Sequence, residues 1–220
     1  MTGQALDALG SPVQGATVEV RSYAYGSTYK VRTDDTGHYA MKVPPGSWIV
    51  YGYHDVQYDG RTYCLSLKPD NFKGFSAEEG AIRNLALAIQ GPNVRDDGSP
   101  YGGKLDITAR GYAPGQYTAT FVLEPQGPLM DGSTGQPLTF KGLVNIGQYG
   151  TSSFLIRDIP LGKYSVRVTI AGADGIDRPA VVQNDNDSPY RRTNVIAFDG
   201  GFLTCAEEFW SNIDVLPSAE

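Results

Sequence analysis

Sulfur and imidazole are scarce in this chain, with 2 Cys, 2 His and 3 Met among 220 residues. Cys64 and Cys205 lie far apart in sequence and no Cys-x-x-Cys occurs, so a thiolate metal site has no framework. A single disulfide and two separate buried thiols are the open alternatives for the pair. His38 and His54 sit in "GHY" and "GYHDV", which leaves no His-x-His and no His-Glu-x-x-His. Nor is there a Gly-x-Ser-x-Gly elbow or a Gly-x-x-x-x-Gly-Lys loop, so hydrolysis and phosphoryl transfer have no visible seat. Positive charge is also short, 18 Lys and Arg against 24 Asp and Glu for a net charge of −6. Arg191 and Arg192 do not extend into a basic stripe, and a nucleic acid would meet net repulsion. No apolar run approaches the roughly 20 residues of a membrane span. Met1 leads into "TGQALDALG" without a charged and then apolar leader, which predicts either a cytosolic chain or one whose leader has been removed.

Turn formers are plentiful, with 27 Gly and 14 Pro, and so is Tyr, with 14. Many turns between short strands are expected, and hence an all-β chain. Two phrases occur twice in the same order. "GSPVQGATVEV" from Gly10 has a counterpart in "GSPYGGKLDI" from Gly98, and "VPPGSWIV" at 43–50 has one in "IPLGKYSV" at 159–166. In the second phrase Pro44 and Pro160 lack the amide hydrogen that continues a ladder, and Gly46 and Gly162 suit a positive φ. Each phrase therefore reads as a hairpin corner. The strand before the second corner, Phe154 to Ile159, carries one extra residue, which suggests a bulge. Strict alternation in "KYSVRVTI" gives a half-buried antiparallel strand. Two phrases in fixed order predict a duplication: two tandem antiparallel β-sandwiches, residues 1–90 and 101–220, joined by a polar linker at 91–100. The second copy is lengthened at 127–140 and 171–192, and long loops on a rigid sandwich are where binding usually resides. In the first copy, "SAEEGAIR" could make one helical turn.

Gly3-x-Ala5-x-Asp7, Gly10-Ser11-Pro12-Val13-x-Gly15-Ala16-x-Val18-x-Val20, Thr33-Asp34-Asp35-x-Gly37-x-Tyr39 and Val43-Pro44-Pro45-Gly46-x-Trp48-x-Val50 together resemble the carboxypeptidase regulatory-like domain, a transthyretin-like, or prealbumin-like, β-sandwich. The resemblance covers residues 3–53 well, extends to about 90, and touches the second copy only at its corners. It implies a non-catalytic accessory module of peptidases, receptors, adhesins and cell-surface proteins, usually outside the cytoplasm. Enzymes of similar fold need more than this chain has. The purine-pathway hydrolases rely on several histidines and a Tyr-Arg-Gly-Ser end, and the intradiol dioxygenases on a His-x-His pair.

Oxygen-rich stretches offer the remaining chemistry. Asn184, Asp185 and Asp187 could ligate calcium, and Asp34 and Asp35 less so, although neither matches a full calcium loop and Asp and Asn also make ordinary turns. Tyr101, Tyr112 and Trp210 are the candidates for holding a glycan or a protein partner, since their rings suit stacking. Lys104 with Asn194 or Asn212 could form an amide cross-link. The reading is of a non-enzymatic structural or adhesive protein, without a required cofactor, that binds a protein or surface at the cell exterior. The alternatives are a carbohydrate-binding accessory module and a self-associating subunit that lends strands.

Overall fold

A computed structural model describes residues 1–22, 26–93, 99–184, 188–200, 205 and 208–218. Among these the chain is all-β and has no helix. The first half contains β1 (Thr2–Leu6), β2 (Thr17–Ser22), β3 (Thr28–Arg32), β4 (His38–Ala40), β5 (Ser47–Tyr58), β6 (Arg61–Pro69), β7 (Phe75–Ser76) and β8 (Leu85–Leu87). The second contains β9 (Gly103–Arg110), β10 (Gly115–Pro125), β11 (Leu138–Ile146), β12 (Thr151–Ile159), β13 (Lys163–Ala171), β14 (Asp177–Gln183), β15 (Asn194–Ala197) and β16 (Trp210–Pro217).

Strand order in the first half is β3-β2-β5-β6-β8-β1-β4, with β7 beside β5. In the second it is β11-β10-β13-β14-β16-β9-β12, with β15 beside β13. Adding eight to every strand of the first order gives the second. The correspondence extends to direction: β1 runs antiparallel to β4 and parallel to β8, as β9 does to β12 and β16. The repeated phrases thus mark two tandem sandwiches of one topology, each antiparallel apart from one parallel pair.

The two compact units are not simply the two halves of the sequence. One comprises Met1–Tyr101 with Met130–Ser133 and Gly200–Glu208; the other holds Gly102–Leu129, Thr134–Asp199 and Phe209–Glu220. In the first, alternation buries Val18, Val20, Trp48, Val50 and Leu67 against Ala5, Tyr39 and Leu85. In the second, Leu105, Ile107, Phe121, Leu123, Val166, Val168 and Ile213 fill the interior, and Phe121 meets Phe154 edge-on at 5.3 Å.

Three local expectations change. The Pro-Gly corners are not hairpins: β4 pairs with β1 and β5 with β2 and β6, so the corner is an arch between strands that do not pair with each other. The same holds for β12 and β13. Pro44 and Pro160 stop a ladder, but neighbouring strands decide what pairs next. Only Gly46 takes a positive φ, 136°; at Gly162 a Cβ would lie 2.7 Å from Leu129 Cδ2, so glycine is there for space. Within 76–83, residues 77–79 form a turn rather than a helix. The extra residue of β12 does produce a register shift between Ile156 and Ile159, where Asp158 adopts a φ of 62°.

Candidate functional site

The second unit carries a cleft of about 580 Å³ lined in part by Tyr112, Tyr117, Ile170, Gly172, Arg178 and Arg192, a size typical of small-molecule sites. It forms where strand ends meet. β9 ends just before Tyr112, β10 begins just before Tyr117, β13 closes with Ile170 and Ala171, β14 carries Arg178 and Pro179 directly after its first residue, Asp177, and β16 ends at Pro217. In the first repeat the equivalent connection, between β5 and β6, is the two-residue turn Asp59-Gly60, whose φ values are 49° and 77°. Between β13 and β14 it widens to residues 172–176, and that longer loop forms one wall of the cleft.

The loop is fixed by its own charges. Asp174 Oδ1 accepts from Ile176 N at 3.1 Å and Arg178 Nη1 at 3.1 Å, and Oδ2 accepts from Arg178 Nη2 at 2.6 Å. The Arg178 hydrogen bonds, followed by that from the Ile176 amide, bring the Asp174 carboxyl down to about 2. Arg178 is therefore compensated. Arg192, exposed on the same cleft, has no ion-pair partner among the described residues. The rings of Tyr112 and Tyr117, also in the lining, lie 5.6 Å apart at 60°, and Tyr117 OH donates to Ala113 O at 3.0 Å. The Tyr112 hydroxyl is buried and has no hydrogen-bond partner among the described residues. Burial, with repulsion from Tyr117, pushes it up to about 12. The cleft can thus offer apolar and aromatic walls and one guanidinium, that of Arg192, without an ion-pair partner among the described residues.

The other candidates are dispersed. Tyr101 is 8% exposed and belongs to the first unit, where it lines a smaller hollow with Tyr51, Leu67 and Phe72. Trp210 is 53% exposed and stands level with Lys104 across β16 and β9, away from the cleft lining. Of the three, Tyr112 is the one that lines the cleft of the second unit. Asn184 Nδ2 donates to Val195 O at 2.6 Å, while its buried Oδ1 has no partner among the described residues; Asp185 and Asp187 lie outside the described residues. Asp34 Oδ1 accepts from Thr36 N, Thr36 Oγ1 and His38 N within its own turn, which is the structural use of such a carboxylate. Asn194 Nδ2 is bonded to Val182 O at 3.2 Å, and Asn212 stands level with Asp106 rather than Lys104.

Cys64 and Cys205 form a disulfide with a Cα–Cα distance of 4.9 Å. Both belong to the first unit, which receives the 200–208 segment. The Asp55 carboxylate lies close to the two sulfurs, which are committed to each other. In the same unit Glu19 is buried on β2. Burial alone would raise its carboxyl, but the bonds from Arg21 and from Lys30, at 3.1 Å, outweigh it and hold the group low.

No family model and no curated protein matches the chain. Among solved structures it is similar to a major pilin protein of Streptococcus pyogenes, at 12% identity, covering 100% of this chain and 96% of that one, with a TM-score of 0.29. It is also similar to a C-terminal fragment of the pilus adhesin SpaC from Lactobacillus rhamnosus GG (13%, 99% and 97%, TM-score 0.27). A third is the Bacillus anthracis TIE protein (16%, 98% and 33%, TM-score 0.34). Likeness at this level is too loose to carry function.

Proposed function

We propose that this chain is a non-enzymatic structural or adhesive protein of the cell exterior that holds a protein partner at the Tyr112 cleft. The observation that carries this reading is where the repeats diverge. Two sandwiches of one topology differ at the β13–β14 loop, and there the cleft opens. Asp34, Asp174 and Glu19, the carboxylates best placed for chemistry, are engaged in internal hydrogen bonds. A disulfide fits an oxidising compartment, and the resemblance of residues 3–53 to carboxypeptidase regulatory-like accessory modules is in keeping with it. Among the described residues no helix is long and apolar enough to cross a membrane. The tilt between Tyr112 and Tyr117 favours a protein or small apolar partner over a stacked sugar.

A second reading, self-association by strand addition, is favoured by β11 and β12. These nine-residue strands end the strand order of the second sheet, and β11 presents Leu143, 66% exposed. The first reading is tested by immobilising the oxidised chain and measuring retention of a panel of extracellular proteins and glycans, beside Gly172→Leu. A Cβ at Gly172 meets nothing nearer than Tyr117 Cε1 at 3.7 Å, so the variant fills the cleft without forcing the backbone. Protein retention lost in the variant is expected. Retention indifferent to it, or turnover depending on a particular Asp or His, would refute the reading.

A further inference from the structure

We infer that the cleft of the second unit is selective for an amphipathic monocarboxylate, a compact aromatic group joined to one carboxylate. The inference rests on the cleft's being the binding site and names the chemistry it takes.

Its volume, about 580 Å³, accommodates a ligand of several fused rings. The floor and one wall are apolar: buried Ile170, the Tyr112 and Tyr117 rings, Pro179 and Pro217. An aromatic group placed there gains from area removed from water and from edge contacts with the tilted Tyr pair.

Charge sets the sign of the polar end. Asp174 and Arg178 neutralise each other through two bonds, at 3.1 Å and 2.6 Å. Arg192 remains a cation without an ion-pair partner among the described residues. Among its described lining residues the cleft therefore carries one more positive charge than negative, on a chain whose net charge is −6. A guanidinium receives a carboxylate through two parallel N–H donors, a geometry that a neutral hydroxyl cannot reproduce. A second cation would instead meet Arg192, and among the described lining residues the one carboxylate, Asp174, is already paired with Arg178. The rest of the lining places an apolar group beside that anion, so a bare inorganic anion would leave most of the cleft unused.

Fluorescence titration with pyrenebutyrate and with its neutral counterpart pyrenebutanol tests this on the oxidised full chain and two variants. For Arg192→Ala, an exposed substitution that keeps the fold, pyrenebutyrate affinity is expected to fall about fivefold while pyrenebutanol is unaffected. Gly172→Leu is expected to abolish saturable binding of both probes. If both probes bind equally well and Arg192→Ala changes neither, the carboxylate selectivity is wrong although the cleft remains a site. If neither probe saturates, or Gly172→Leu binds both like the parent, the carboxylate inference falls, while the protein-partner reading stands or falls by the retention assay.

Discussion

Trp48 Nε1 donates to the carbonyl oxygen of Pro44 at 3.0 Å, across the arch that joins β4 to β5. The second repeat makes the same connection with different chemistry: Tyr164 OH donates to Pro160 O at 2.7 Å. In each case an aromatic residue at the second position of a long strand covers the corner, and its polar tip satisfies the carbonyl four residues back. The shared phrase is thus conserved between the repeats as a contact, although the indole and the phenol differ. Tyr164→Phe keeps the ring and removes the bond, leaving Pro160 O short of a partner. It is expected to lower stability by about 1–2 kcal/mol in a denaturant titration. No measurable change would mean that the bond only accompanies the arch.

Glycines in the repeated motifs are required for different reasons, and substitution separates them. A Cβ at Gly3 would fall 1.8 Å from Arg83 O and 2.7 Å from Tyr39 OH, and Tyr39 itself donates to Arg83 O. Backbone cannot yield there, so Gly3→Ala is expected to cost more than about 3 kcal/mol or prevent folding. At Gly162 the obstacle is the flexible end of Leu129, and Gly162→Ala is expected to cost about 1 kcal/mol. Thermal melts of both variants read the ordering directly.

What the sequence revealed and withheld follows from the range of the interactions involved. Turn chemistry is local, so the Pro and Gly phrases marked the duplication, the strands and the bulge before Ile159. They could not tell an arch from a hairpin, because pairing depends on strands elsewhere in the chain, β4 with β1 and β5 with β2, as β12 with β9 and β13 with β10. The cleft was legible only in part. Tyr112 was singled out for its ring, and residues 171–192 as a long loop, but Tyr117, Ile170 and Pro217 join them only when strand ends converge. The available signal was a difference in connection length, Asp59-Gly60 against residues 172–176.

A covalent link between residues 141 apart changes how the chain carries load. Tension applied at the termini of the oxidised protein passes from Cys64 to Cys205 and bypasses the residues between them. At roughly 3.5 Å per extended residue, a separation of 141 withholds roughly 490 Å of contour. Single-molecule stretching in the presence and absence of reductant is expected to differ by that length. Equal full extensions would show that the bond does not form in the folded protein.

The Asp174 carboxyl should titrate with a midpoint of about 2. Its folded value lies below that of the unfolded chain, so the pair's contribution is present above the ordinary aspartate range and is lost as pH falls toward about 2. Carboxyl-detected NMR reads this directly. Arg178→Gln is expected to return the midpoint toward the ordinary value of about 3.9, and an unchanged midpoint would remove the pair as the cause.

The central claim is that partners engage the second unit at the Tyr112 cleft, and amide hydrogen exchange of the chain with a captured partner tests it most directly. Protection gained at residues 112–117 and 170–179, with β11 and β12 unchanged, is the predicted result. Protection confined to β11 and β12 would contradict it and make strand addition the way this protein binds.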